Sequence, residues 1–468
     1  MSKQVVFDAV ESERDRLFEL ATTLWENPEL GMREYDAVER LQGILREEGF
    51  DVEESVAEIE TAFLARYGEG DPVVGVLGEY DALPDLSQAV TAERDPLEEG
   101  APGHGCGHNL FATGSLGAAL GAKRAIERGD VSGTIVYFGT PAEELGVGKP
   151  YMISDGAFDD VDAVLSWHPG WYSSASRQRC LALDSLRFEF TGEASHAGAA
   201  PEAGRSALDA VQVMNVGVEF MREHVPDNAR IHYAIEDAGA APNVVDPNAS
   251  VLYTVRAPTR VSVDEMSEWL HDVARGAALI TQTDVESTYR GGMYGVLPND
   301  TLADVIDANM QAVGGFELPA DDRQLAAELK ATIDGVEGRI EQLPAEHRDD
   351  AREQPMLTDA IPSFDGDELG TYSTDTGNVS WVVPVGRSQA ATWPVGTPAH
   401  SWQAVAASGS VGRHAAVFVA KALAGGLYDL LDDPEIVAAA QAEFESAAAG
   451  TGYEETLPEV DPSELAAD

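Results

Sequence analysis

Basic residues are scarce in this 468-residue chain: 30 Lys and Arg stand against 82 Asp and Glu, for a net charge of −52. The only lysines are Lys3, Lys123, Lys149, Lys330 and Lys421. Phosphate contact needs clustered Lys and Arg, so nucleic-acid binding is excluded. No apolar run approaches the roughly 20 residues that a membrane helix needs, and no membrane association is expected. The opening MSKQVVFDAVESERDRLFEL lacks the basic start and apolar core of a signal peptide and reads as an acidic amphipathic helix, which favours a cytoplasmic protein. Cysteine is limited to Cys106 and Cys180, too few for a disulfide framework.

What is abundant is acid. Surface carboxylates repel one another across water unless salt screens them, and the screening length falls to about 3 Å at 1 M salt. The composition is therefore read as a solvated surface suited to a high-salt, halophilic cytoplasm. The length points to two domains.

Along the chain, residues 10–50 read as helical, followed by strand-like runs at Ala62–Tyr67 and Val73–Gly78. A helix starts near Asn109, read as its N-cap, and ends at Gly129. Short apolar runs at Thr134–Phe138 and Ala163–Trp167 alternate with it, the pattern of an α/β sheet. From Asp184 the order becomes strand, helix, strand, strand, helix, strand, a ferredoxin-like arrangement. The fold expected is α/β: a discontinuous catalytic domain (1–183 and 296–468) with a mixed sheet flanked by helices, interrupted by a ferredoxin-like α+β lid or dimerisation domain (184–295). The tail after Gly450 is expected to fray.

Chemistry concentrates at the ends of the apolar runs. GEYDALP places Glu79 and Asp81 two apart, on one side of an extended chain, where α/β sheets build their sites. In GHGCGHN the glycines let Cys106 and His108 approach a common point; thiolate and imidazole are ligands for zinc-class ions, and the helix that follows favours a thiolate. GTPAEELG supplies adjacent carboxylates whose side chains diverge, so that one can bind metal while the other moves a proton. His168 in SWHPG and His400 in GTPAHSW each follow the same logic. With Cys106, His108 and a glutamate they make five ligands, enough for two ions sharing a bridge; His104 competes for the same role. Cys180 reads as a buried structural thiol. In the insert, His196, Arg205, Asn243 and Arg256 offer an imidazole, an amide and guanidiniums able to polarise a carbonyl and hold a carboxylate.

Taken together, GEYDALPDLSQ, GHGCGHN, GTPAEE, SWHPG, GRSALDAVQVMNVGVEFMREHV, APNVV and ATWPVGTPAHSWQ resemble the M20 metallopeptidase family. The likeness is to its amidohydrolase branch and is greatest to the p-aminobenzoyl-glutamate hydrolase B-subunit type, over roughly residues 15–425. The resemblance implies that Cys106, His108, Glu144, His168 and His400 hold two divalent ions, Mn²⁺ or Zn²⁺, and that Glu143 is the general base. It implies further that His196 reaches a partner subunit's site to stabilise the oxyanion, that Asn243 and Arg256 bind substrate, and that Asp81 orients a ligand. The implied reaction is hydrolysis of an N-acyl or aroyl amino acid by a homodimer or a heteromer with a paralogous chain. An aminoacylase or dipeptidase, or a non-catalytic member of a heteromer, is the alternative. Two positions depart from the pattern: Glu79 stands where other branches place a histidine ligand, and Asn378 replaces an acidic residue.

Overall fold

The computed structural model describes residues 3–239, 241–366 and 368–458. A seven-stranded mixed sheet runs in the order Asp51–Glu54, Phe63–Glu69, Gly133–Gly139, Val73–Gly78, Ala163–Gly170, Val385–Ala391, Ser174–Ser176. The four strands Gly133–Gly139, Val73–Gly78, Ala163–Gly170 and Val385–Ala391 are mutually parallel, and the outer ones antiparallel. Apolar almost throughout, these central strands suit a sheet covered on both faces. Because they run the same way, their C-terminal ends, and the loops that follow, converge on one edge.

Two long helices, His108–Glu127 and Gly412–Asp432, pack against each other on the sheet. Their approach depends on glycine: a Cβ on Gly117 would lie 2.9 Å from the Ala420 methyl, and one on Gly121 2.8 Å from that of Ala424. The helix Gly412–Asp432 is long and apolar enough to cross a membrane by composition, a property the interrupting Arg413, His414 and Lys421 hide in the sequence. Here 89% of its most apolar window is buried inside the protein, as in the core helix of a globular fold.

Residues from Ala182 to Met293 form a separate four-stranded antiparallel sheet, ordered Asp284–Met293, Ala182–Thr191, Asn248–Ala257, Arg230–Asp237. The helices Ala207–Met221 and Arg260–Thr281 pack on it around a distinct apolar cluster that includes Phe188, Phe190, Met214, Val251 and Leu270. This is the ferredoxin-like order expected from the sequence, its first strand beginning two residues earlier and its last ending two residues earlier than the expected limits. Within the helical N-terminal region the chain breaks into Gln4–Ser12, Arg14–Glu26 and Tyr35–Glu47.

The expectation of a frayed tail is corrected for residues 451–458; 459–468 lie outside the described residues. Thr456 Oγ1 donates to Gly292 O (2.7 Å), and Gly292 N donates back to Thr456 O (3.1 Å). Asn378 joins the two: its Nδ2 donates to Thr456 Oγ1 (2.8 Å) while its Oδ1 accepts from Tyr294 N (3.1 Å). A carboxylate could not donate, so the departure at position 378 matches a tail pinned across the junction of the two sheets.

Candidate metal centre

Strand ends and the loops that follow them deliver the site residues to one edge of the large sheet. After Val73–Gly78 comes Glu79, then Asp81, both buried. Gly107, with φ 76°, caps the helix His108–Glu127 in the left-handed region, where a Cβ would also meet Pro169 at 2.9 Å. The helix thus starts one residue before the expected cap; Asn109 lies inside it and donates to Ala21 O (3.0 Å) and Ser408 O (3.2 Å). After Gly133–Gly139 the chain turns at Ala142, a non-glycine residue at φ 56°, immediately before Glu143 and Glu144. Its N–H donates to Glu34 Oε1 (2.8 Å), a buried carboxyl pushed up to about 8 by burial and by the charge of Asp81. Beyond this turn the two carboxylates join different partners: Glu143 stands with Glu79 and His108, and Glu144 with Cys106 and His400.

Three sets of donor atoms gather within 4.8 Å: Cys106, His108 and His168; Cys106, Glu144 and His400; Glu79, His108 and Glu143. Cys106 belongs to the first two and His108 to the first and third. Cys106 Sγ is 3.3 Å from His168 Nε2, and His400 Nε2 is 3.5 Å from Glu144 Oε2. Two of the imidazoles are oriented from behind: His108 Nδ1 is 2.8 Å from Asp81 Oδ1, and His168 Nδ1 2.8 Å from Pro169 O. The other Asp81 oxygen accepts from Glu144 N at 2.9 Å, so one carboxylate fixes two of the expected ligands.

The geometry fits a cation. His108 Nδ1–H donates to Asp81, and Glu79 Oε2 faces Nε2 at 3.3 Å, so a cation would take the place of the Nε2 proton and use its lone pair. His108 Nε2, Glu79 Oε2 and Glu144 Oε1 are all buried without a hydrogen-bond partner. A cation between His108 Nε2 and Glu79 Oε2 would satisfy both atoms, and Glu144 Oε1 is a further buried atom able to ligate one.

Protonation follows from the same crowding. Burial, reinforced by Glu144, pushes the Cys106 thiol well above its ordinary range, against the helix effect expected from the sequence. Burial raises Glu144 to about 8, with His108 opposing and Glu143 adding, and it raises Glu143, with Glu79 next in effect. Burial would lower His108, but Cys106 and Asp81 outweigh it and raise it. Burial, then the His108 charge, lowers His168 to about 4.

Among residues not singled out by the sequence, Lys149 stands first. It is fully buried, with Nζ 2.8 Å from Glu79 Oε1 and 2.5 Å from Asp375 Oδ1. A lysine in a glycine-proline turn reads as solvated, and nothing local betrays it. His104 turns away, with Nε2 3.1 Å from Leu24 O. Cys180 is buried, its sulfur accepting from Val296 N at 3.4 Å.

The remaining expected residues lie on the smaller sheet's side. His196 pairs with Val244 in a two-residue ribbon, and Ala197 N donates to Asn243 O (3.0 Å), which places both His196 and Asn243 on one exposed corner. His196 Nδ1 accepts from Gly198 N and Ala199 N (3.2 Å each), so its proton resides on Nε2. No hydrogen bond among the described residues joins it to the metal set. Arg256 Nη1 donates to Ser373 Oγ (3.0 Å), and Arg205 bonds Gln282 (2.7 Å).

Comparison with known proteins agrees with this arrangement. The family model "Peptidase family M20/M25/M40" matches residues 75–365. The chain is 36% identical to the B-type subunit of p-aminobenzoyl-glutamate hydrolase from Escherichia coli (strain K12), over 98% of both chains. It is 28% identical to the Xaa-Arg dipeptidase of Mus musculus, over 94% of this chain and 92% of that one. A dinuclear metal-binding peptidase of the M20 family from Bacillus subtilis shares the fold at a TM-score of 0.59 and 16% identity, with 90% of this chain and 99% of that one covered. The segments that carry Cys106, His108, the Glu143–Glu144 pair and His168 all fall within the matched span, and the chain belongs to peptidase family M20, as a metal-dependent hydrolase of amide bonds.

Proposed function

We propose that the protein hydrolyses the amide bond of an N-acyl or aroyl amino acid, with p-aminobenzoyl-glutamate-like compounds the leading class. The observation that carries this reading is the gathering of Cys106, His108, His168, Glu144 and His400 into two donor sets that share Cys106, with Glu143 next to them in a third set with Glu79 and His108. Cys106, His108, Glu144, His168 and His400 would hold two divalent ions, Mn²⁺ or Zn²⁺, which supply Lewis acidity and make water a stronger acid. Glu143 takes the proton of the attacking water and returns it to the departing nitrogen. Its raised pKa suits both halves of that task, because a stronger base is also an acid closer to neutrality.

His196 completes the account from a second subunit. Its Nε2–H is free to donate to the oxygen that becomes negative as the carbonyl is attacked. The strand Arg230–Asp237 is an open edge of its sheet, with Tyr233 and Ile235 exposed, and the helix Ala207–Met221 exposes Val216 and Phe220. An unpaired edge beside apolar side chains suits pairing with another chain. We assign residues 184–295 this dimerisation and lid role and the rest the catalytic one. The partner is an identical chain; the E. coli relative is named as one of two different subunits, which supports a paralogous partner as the second reading. The charge of −52 is consistent with a salty cytoplasm.

Replacement of Glu143 by Gln tests the assignment. Turnover should fall by about 10²–10⁴-fold while the metal content stays that of the parent protein. Normal turnover in E143Q would sink it.

A further inference from the structure

Arginines buried in this acidic chain are expected to find carboxylates, and Arg260 does, with Asp184 at 2.6 Å and Asp264 at 2.7 Å. Arg387 does not. It lies on Val385–Ala391, opposite Ser166, while Gln389 on the same strand lies opposite His168. Residues two apart on a strand share a face, so Arg387 stands one pleat before the metal centre on the side from which His168 extends. Its charge is felt at His168 and at Cys180. Arg387 Nη2 donates to Tyr372 Oη at 3.1 Å, with Cζ 5.7 Å from the centre of that ring. Nη1 is buried with no partner. Asp365, the acid whose charge reaches it, instead accepts from Ser176 Oγ (2.6 Å) and Arg177 N (2.8 Å).

Arg256 comes to the same place from the smaller sheet. Its bond is to Ser373, the residue after Tyr372, and its charge also acts at Cys180. No carboxylate pairs with either guanidinium among the described residues. Each guanidinium is partly buried with a single hydroxyl partner on the neighbouring residues Tyr372 and Ser373, so each loses hydration that no carboxylate replaces, and Arg387 Nη1 is left without an acceptor. An anion between them would supply both needs, and a guanidinium recognises carboxylate through paired N–H donors.

We propose that Arg387 is a specificity-determining residue: with Arg256 holding the α-carboxylate of the amino-acid half, Arg387 holds a second carboxylate, so that amides of dicarboxylic amino acids are the preferred substrates. This rests on the amidohydrolase reading above and on Arg256 as a substrate contact. A neutral side chain at the second position would leave the Arg387 N–H groups unanswered, the kind of mismatch that discriminates strongly between substrates.

The test compares kcat/KM for N-acetyl-glutamate and N-acetyl-glutamine at one fixed salt concentration, in the parent enzyme and in R387Q. The parent should favour the glutamate compound, and R387Q should lower that ratio about tenfold or more, mainly through KM, with R387K recovering part of it. A ratio that R387Q leaves in place overturns the proposal. Inhibition of the parent enzyme supplies a measure independent of any variant's folding: glutarate should inhibit at least about tenfold better than butyrate, and equal inhibition overturns the proposal. If the parent cleaves no N-acyl amino acid, the amidohydrolase reading fails, and calorimetric binding of glutarate to the metal-loaded parent and R387Q still decides the role of Arg387. Binding weakened by R387Q supports it, and binding that is absent or unaltered overturns it.

Discussion

Lys149 Nζ and Glu79 Oε1 lie 2.8 Å apart with neither side chain reaching solvent, so an ion pair closes the floor of the site. The same ammonium is shared with Asp375, whose Oδ2 accepts from Lys149 N at 3.1 Å. Burial opposes the charge on Lys149, but Asp375 and then Glu79 outweigh it and raise its pKa. One oxygen of Glu79 is thereby fixed, and the other is left facing His108 Nε2.

Substituting Lys149 by Met removes the countercharge of two buried carboxylates. Loss of one partner from a buried pair costs about 3–5 kcal/mol, and the loss should appear in equilibrium denaturation of K149M at high salt. A variant as stable as the parent would show that this lysine does not hold Glu79 and Asp375 in place.

Metal uptake should depend on pH in a stated direction. Burial keeps the Cys106 thiol protonated at neutral pH, so binding must displace that proton. Affinity should then rise by about tenfold per pH unit for each proton released. Calorimetry of Zn²⁺ or Mn²⁺ binding in buffers of different ionisation enthalpy counts those protons. A titration that releases none would mean that Cys106 is not a ligand.

If His196 serves the neighbouring subunit, two dead variants should rescue each other. H196A and E143Q, each nearly inactive, should regain activity when unfolded together and refolded, because a mixed dimer assembles one intact site. Mixtures that stay inactive, despite exchange shown by a mass tag, would confine His196 to its own chain.

Much of the candidate centre was legible because its residues are local. Cys106 and His108 share one glycine turn, Glu143 and Glu144 another, and His168 ends a strand whose apolar run is plain in the sequence. The ferredoxin-like order was legible for the same reason, from periodicity. What escaped reading depends on contacts remote in the chain. Lys149 and Asp375 meet across 226 positions, and Glu34 reaches Ala142 across 108. Lys149 in GVGKP has the sequence signature of an exposed turn, and Glu34 in MREYD that of an ordinary helix start. The tail looked polar enough to fray, yet Asn378 offers it a donor and Gly292 both a donor and an acceptor. The thiol misled in the opposite way: a helix start favours a thiolate, but burial and Glu144 dominate at Cys106.

The central claim, a binuclear hydrolase, is tested most directly by stripping the protein with a chelator and returning metal in measured equivalents while hydrolysis of N-acetyl-glutamate is followed. The account predicts no activity in the stripped protein and a rise that levels off at two equivalents per chain. Activity that survives complete metal removal, or that is fully restored by one equivalent, would contradict it.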